Sequence, residues 1–180
     1  MKNVLIGGIG NVLLGDDGVG PYVLRLLESR YEFEEGVELA DLGTPALDLL
    51  NRISGRDAVI LIDCVDSKST PGSVLIYRKP DLIRHSPGVR TDPHSPAITE
   101  ILLSADFWGV SPGELLLVGI TPESFESGCA LSDSVNASLD DAVARVLSEL
   151  DRLHIKYKPR KKSGEPNIWW TENQAQVISH

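Results

Sequence analysis

The chain has 180 residues, 42% of them hydrophobic, enough for one domain with a single sizeable core and too apolar for a disordered protein. A net charge of −9, from 26 acidic against 17 basic residues, argues against a nucleic-acid-binding surface, and no apolar run approaches the roughly 20 residues that cross a bilayer. Met1-Lys2-Asn3 leads straight into a strand-like run with no signal-peptide features, and Cys64 and Cys129 are isolated, so a cytoplasmic, reducing setting without membrane insertion is expected.

Val4–Ile6 predicts the first strand. A helix follows from Val19 to Tyr31, where Pro21 suits a first turn and Val23, Leu26 and Leu27 stand opposite Arg30. Val37–Ala40 reads as a second strand, and Thr44-Pro45 gives a cap and then proline, opening a helix through Ile53. Ala58–Ile62 is a continuous β-branched and leucine run, as expected of a buried parallel strand. Pro71-Gly72 marks a turn before a strand at Ser73–Tyr77; the connection is too short for a helical crossover, so this strand is expected to be antiparallel. Residues 79–93, with Pro80, Pro87, Gly88 and Pro93, read as a loop. Ser95-Pro96 repeats the cap signal and opens a helix to about Ala105, and Leu115–Ile120 is the last strand. From Ser134 to about Leu153, Val135, Leu139, Val143, Val146 and Leu150 share one side of a helix.

The order β-α-β-α-β-β-α-β-α predicts an α/β three-layer sandwich. Its sheet is twisted and mostly parallel with one antiparallel strand, and helices cover both faces. One domain is expected over residues 1–157, followed by a polar tail at 158–180. The basic cluster at Lys156, Lys158, Arg160, Lys161 and Lys162 reads as solvated. Trp169-Trp170 belongs either to a flexible end or to a segment docked on the body or a neighbouring subunit.

The stretch "GGIGNVLLGDDGVGP" at residues 7–21 is a glycine-rich turn after the first strand. It lacks the third glycine of the dinucleotide fingerprint, which Leu13 replaces, and the lysine of a P-loop. Asp16 and Asp17 there suit a cation or proton transfer better than a phosphate, with helix capping as the alternative. Asp63 follows the apolar strand in "VILIDCVD", where an acid is costly unless it faces a crevice or a partner. His94 precedes the capped helix in "TDPHSPAI", where the helix N-terminus favours a neutral ring. Asp17, Asp63 and His94 lie on three connections expected at one sheet edge, and such an oxygen and nitrogen set suits Ni²⁺ or Zn²⁺. His85, His154 and His180 read as surface histidines, Cys64 as core, Ser95 as a cap, and Asp16 and Asp66 as turn or capping acids. Asp41 as a ribose-binding acid lacks the fingerprint that would support it.

The segments "GIGNVLLGDDGVG", "DLGTPALDLL", "LIDCVD", "DPH" and "LVGITPES" occur in the order found in the hydrogenase maturation endopeptidases, which the chain resembles over roughly residues 3–152. The resemblance implies a five-stranded sheet and an activity: removal of a C-terminal peptide from the large-subunit precursor of a [NiFe] hydrogenase after nickel insertion. It implies that Asp17, Asp63 and His94 form the metal-sensing and catalytic site, and that Gly10, Asn11, Gly43 and Thr44 shape the substrate cleft. The resemblance further implies that the nickel is carried by the precursor and held at most transiently by the free enzyme. The alternatives are a non-catalytic nickel-checking chaperone, a nucleotide-binding domain, and a metal-free protease using Asp17 and Asp63 as a dyad.

Overall fold

The computed structural model describes residues 2–45, 48–85, 88–89, 98–162 and 164–172. Strand β1 (Val4–Ile9) leads through a short 3-10 turn, Gly15–Gly18, into α1 (Val19–Arg30). Then come β2 (Tyr31–Phe33), β3 (Val37–Gly43), α2 (Asp48–Ile53), β4 (Ala58–Asp66), β5 (Val74–Arg78), α3 (Lys79–His85) and β6 (Gly88–Val89). The chain continues with α4 (Ile98–Phe107), β7 (Glu114–Ile120), α5 (Asp133–Arg152), β8 (Tyr157–Pro159) and one last helical turn, α6 (Trp169–Glu172).

The main sheet has the order β3-β1-β4-β7-β5. β1 pairs in parallel with β3 and β4, β4 pairs in parallel with β7, and β5 runs antiparallel to β7. This is the expected mostly parallel sheet with one antiparallel strand. Two-residue β6 adds to the far end of β4 through Val65 and Asp66.

Side-chain alternation divides the core into two layers. Val4, Ile6, Ala58, Ile60, Ile62 and Cys64 pack against α1 and α5. Leu5, Ile9, Val59, Leu61 and Val65 pack against Leu49 and Ile53 of α2, Leu82 of α3, and Ile101 and Leu102 of α4. β4 is buried on both faces from Ala58 to Val65, which is why its sequence does not alternate.

Several local features depart from the expectations. Residues 79–85 form α3, because Pro80 stands in the first turn, where its missing N–H costs nothing, and Leu82 anchors the helix in the core. β4 continues past Ile62 to Asp66, so Asp63 lies within the strand and Asp66 at its end. A second, two-stranded ribbon joins β2 to β8 antiparallel, with Phe33 opposite Tyr157. The described part of α2 starts at Asp48; residues 46–47 lie outside the described residues, as does the expected cap at Ser95-Pro96.

The tail does not stop at the ribbon. Trp170 is 2% exposed within the α1/α5 layer and meets Tyr22 edge-on, ring centroids 5.3 Å apart, while Trp169 is 53% exposed.

Candidate active site

β3 and β4 leave β1 on opposite sides, so the strand order reverses at the carboxyl ends of β1 and β4 and opens a crevice there. Two glycines bring the next segment onto that edge. A Cβ at Gly20 would lie 2.2 Å from the Ile9 carbonyl oxygen and 2.4 Å from that of Ile62. A Cβ at Gly8 would lie 2.7 Å from the Gly20 carbonyl oxygen. The first turn of α1 therefore rests on the β1–β4 seam at backbone contact distance. The turn carrying Asp16 and Asp17 is set beside the end of β4.

The glycine-rich turn is built to present Asp17. Gly10 has φ +134°, and a Cβ there would fall 1.7 Å from the Asp17 carbonyl oxygen. The Gly10 N–H donates to the Gly43 carbonyl at 2.8 Å, tying the end of β1 to the "DLGT" turn, where the Gly43 N–H donates to Asp41 Oδ1 at 3.0 Å. The Asn11 N–H donates to Asp17 Oδ2 at 2.8 Å, and Asn11 Oδ1 accepts from the Leu13 N–H at 3.0 Å. Gly10, Asn11 and Gly43 thus lie on the same edge as Asp17, and Thr44 follows them, exposed. Asp41 serves its own turn.

Asp63 is 4% exposed. It stands between Leu61 and Val65, on the sheet face that α2, α3 and α4 cover. Its Oδ1 accepts from the Cys64 N–H at 2.7 Å; its Oδ2 is buried with no hydrogen-bond partner among the described residues. Burial pushes its pKa up to about 8; the Cys64 N–H opposes this, and the negative charge of Asp17 adds to it. The two carboxylates expected to act together are therefore electrostatic neighbours. Among the described residues, no group of three His, Cys, Asp or Glu side chains forms a ready metal cluster. His94, the third expected member, lies outside the described residues; the helix after it, α4, packs on the face to which Asp63 belongs.

Asp16 behaves differently from its neighbour. It is 1% exposed, with Oδ2 accepting from the Glu123 N–H, the Ser124 N–H and the Ser132 hydroxyl, and Oδ1 from the Ser132 N–H. The partners Glu123, Ser124 and Ser132 were not expected. Three of the four contacts come from backbone N–H groups, which leave no trace in residue type. The legible signal is Ser132-Asp133 just before the amphipathic helix: Ser132 is the N-cap of α5 and accepts from Val135 N–H.

The remaining candidates separate readily. Cys64 is buried core, and His154 is exposed just past α5 in a left-handed conformation with φ +57°. The side chain of His85, along with Ser95 and His180, lies outside the described residues.

The sequence and the fold both have known relatives. The hydrogenase maturation protease family model matches residues 21–149. The chain is 33% identical over 162 residues to the hydrogenase 2 maturation protease of Escherichia coli K12, covering 88% of this chain and 96% of that one. It is 36% identical over 164 residues to the hydrogenase expression/formation protein HupM of Azotobacter chroococcum, covering 91% and 78%. The solved structure of the E. coli hydrogenase maturating endopeptidase HybD superposes with a TM-score of 0.79 at 33% identity, over 89% of this chain and 98% of that one. By the family model, these relatives and the shared fold, the chain belongs to the hydrogenase maturation protease family and is an endopeptidase.

Proposed function

We propose that this protease removes the C-terminal extension of a [NiFe] hydrogenase large-subunit precursor in the cytoplasm after nickel insertion, and that Asp17, Asp63 and His94 recognise the nickel carried by that substrate. The supporting observation is Asp63 Oδ2, a buried carboxylate oxygen with no partner among the described residues, beside a second carboxylate at the switch point of the sheet. Without a cation, burial keeps Asp63 protonated at neutral pH. A divalent ion supplies the opposite charge that makes the ionised form favourable. A nickel-free precursor offers no such compensation, so it is discriminated against. A buried, protonated carboxyl is a poor resident ligand, which fits transient metal holding by the free enzyme. The buried thiols Cys64 and Cys129, neither of them in a disulfide, suit a reducing compartment.

The chain's own groups divide the work. Asp17 is half-buried and oriented by the Asn11 N–H, so it can accept a proton from the attacking water. The substrate's nickel would polarise the scissile carbonyl or the water. Gly10, Asn11, Gly43 and Thr44 form the wall along which the precursor's peptide lies.

The test is incubation of the purified chain with nickel-loaded and nickel-free precursor, with large-subunit shortening followed by mass spectrometry. Only loaded precursor is expected to shorten, and Asp17→Asn is expected to slow cleavage about 100-fold or more. Equal cleavage of both precursors overturns nickel recognition. The mutual influence of Asp17 and Asp63 also supports a second reading, a metal-free dyad sharing one proton. Intact cleavage by His94→Ala would favour the dyad, whereas loss of cleavage favours the nickel site.

A further inference from the structure

The carboxylate next to Asp17 in sequence does none of the chemistry assigned above, yet it is buried and held by hydrogen bonds on both oxygens. Asp16 receives four hydrogen bonds, at 2.7 to 3.0 Å, all from the segment between β7 and α5. The backbone completes the latch. The Gly15 N–H donates to the Gly128 carbonyl at 2.8 Å, the Asp16 N–H to the Ser124 carbonyl at 3.2 Å, and the Gly128 N–H to the Leu13 carbonyl at 3.0 Å. On its other side the turn is held by Asn11, whose own N–H aims Asp17.

We propose that Asp16 is a positioning residue for proteolysis: by clamping the 123–132 segment it fixes the turn from which Asp17 projects, so that Asp17 meets the scissile bond in one orientation. This rests on the reading that Asp17 acts in cleavage. Four donors converging on the two oxygens of one buried carboxyl group leave it little freedom to move, which makes it a rigid support. Capping α5 does not require this arrangement, because Ser132 already caps that helix through its own hydroxyl. The clamp instead couples the first motif of the chain to the "TPES" segment more than a hundred residues away.

The geometry makes the clamp gradable. In Asp16→Asn the amide can turn its oxygen to the three donors on the Oδ2 side, losing only the Ser132 N–H contact. Asp16→Ala loses all four. Ser132→Ala keeps its N–H and loses the hydroxyl contact to Asp16 together with the α5 cap that the same hydroxyl supplies, a loss that thermal unfolding registers. Cleavage of nickel-loaded precursor is measured for each variant as kcat and KM, beside thermal unfolding and hydrogen exchange of the Asn11 amide. The expected kcat losses are about 3- to 10-fold for Asp16→Asn and Ser132→Ala, and about 100-fold for Asp16→Ala, with KM within about 3-fold of wild type, as for a misplaced catalytic group. Faster exchange at Asn11 should accompany them. Unchanged kcat in folded Asp16→Asn and Ser132→Ala, with loss confined to thermal stability, overturns the proposal and leaves a purely structural clamp. Should Asp16→Ala not fold, the two milder variants decide. Asp17→Asn in the same assay keeps the two questions apart: its full activity would sink the role of Asp17 itself, whatever the Asp16 variants do.

Discussion

Asp17 raises the pKa of Asp63 through its charge, although one follows β1 and the other lies inside β4. Burial is the larger cause, and together they hold Asp63 near 8. An unfolded aspartate titrates near ~3.9. Between these two values the folded chain binds the additional proton, so stability falls as pH rises from about 4 to about 8 and levels off above. At acid pH the group is neutral in both states and has no effect. Asp63→Asn cannot ionise. It is expected to match wild type near pH 4 and to exceed it at pH 7.5 by about 4–5 kcal/mol, while losing cleavage. Urea unfolding of both proteins across this range checks the sign, and a gap that does not widen with pH would refute it.

The backbone contacts beneath the site give a second expectation. At Gly20 any side chain meets two carbonyl oxygens of the sheet, with no flexible atom to yield. Gly20→Ala should cost at least about 2 kcal/mol, because α1 must lift from the β1–β4 seam. It should lower cleavage as well, since Asp17 rides on the turn that opens α1. Gly164 has open space around it, so Gly164→Ala should be close to neutral in both measurements. Chemical denaturation with a parallel cleavage assay separates the two outcomes, and equal tolerance at both positions would count against the close seam.

The parts of this arrangement differed in how plainly the sequence announced them. The buried strands and the amphipathic α5 were legible because their burial imposes a pattern over many residues. Asp63 stood out because an acid at the end of so apolar a run demands a reason. The 79–85 helix was hidden by Pro80, which breaks helices in their interior but is welcome in a first turn. The β2–β8 ribbon was hidden because three-residue strands carry too little periodicity to read. The role of Asp16 could not be seen, because its partners are largely backbone N–H groups brought close by the fold. The pairing of Trp170 with Tyr22 likewise depends on a chain reversal that no local pattern encodes.

That pairing supports the last expectation. Trp170 is buried against Tyr22, at a ring angle of 78°, and the Tyr22 hydroxyl donates to the Cys129 carbonyl at 2.7 Å. Replacing it by alanine removes a large buried ring and one edge-to-face contact, so Trp170→Ala should destabilise by about 3–5 kcal/mol. Trp169→Ala, at an exposed position, should change stability by less than about 0.5 kcal/mol. Cys129 belongs to the segment that Asp16 clamps, so the loss at Trp170 should also loosen that segment and reduce kcat, to a smaller degree than Asp16→Ala does. Urea midpoints for the two variants, with kcat taken well below the unfolding transition, test both parts. Equal midpoints for the two tryptophan variants would mean that the tail contributes nothing to the body it rests on.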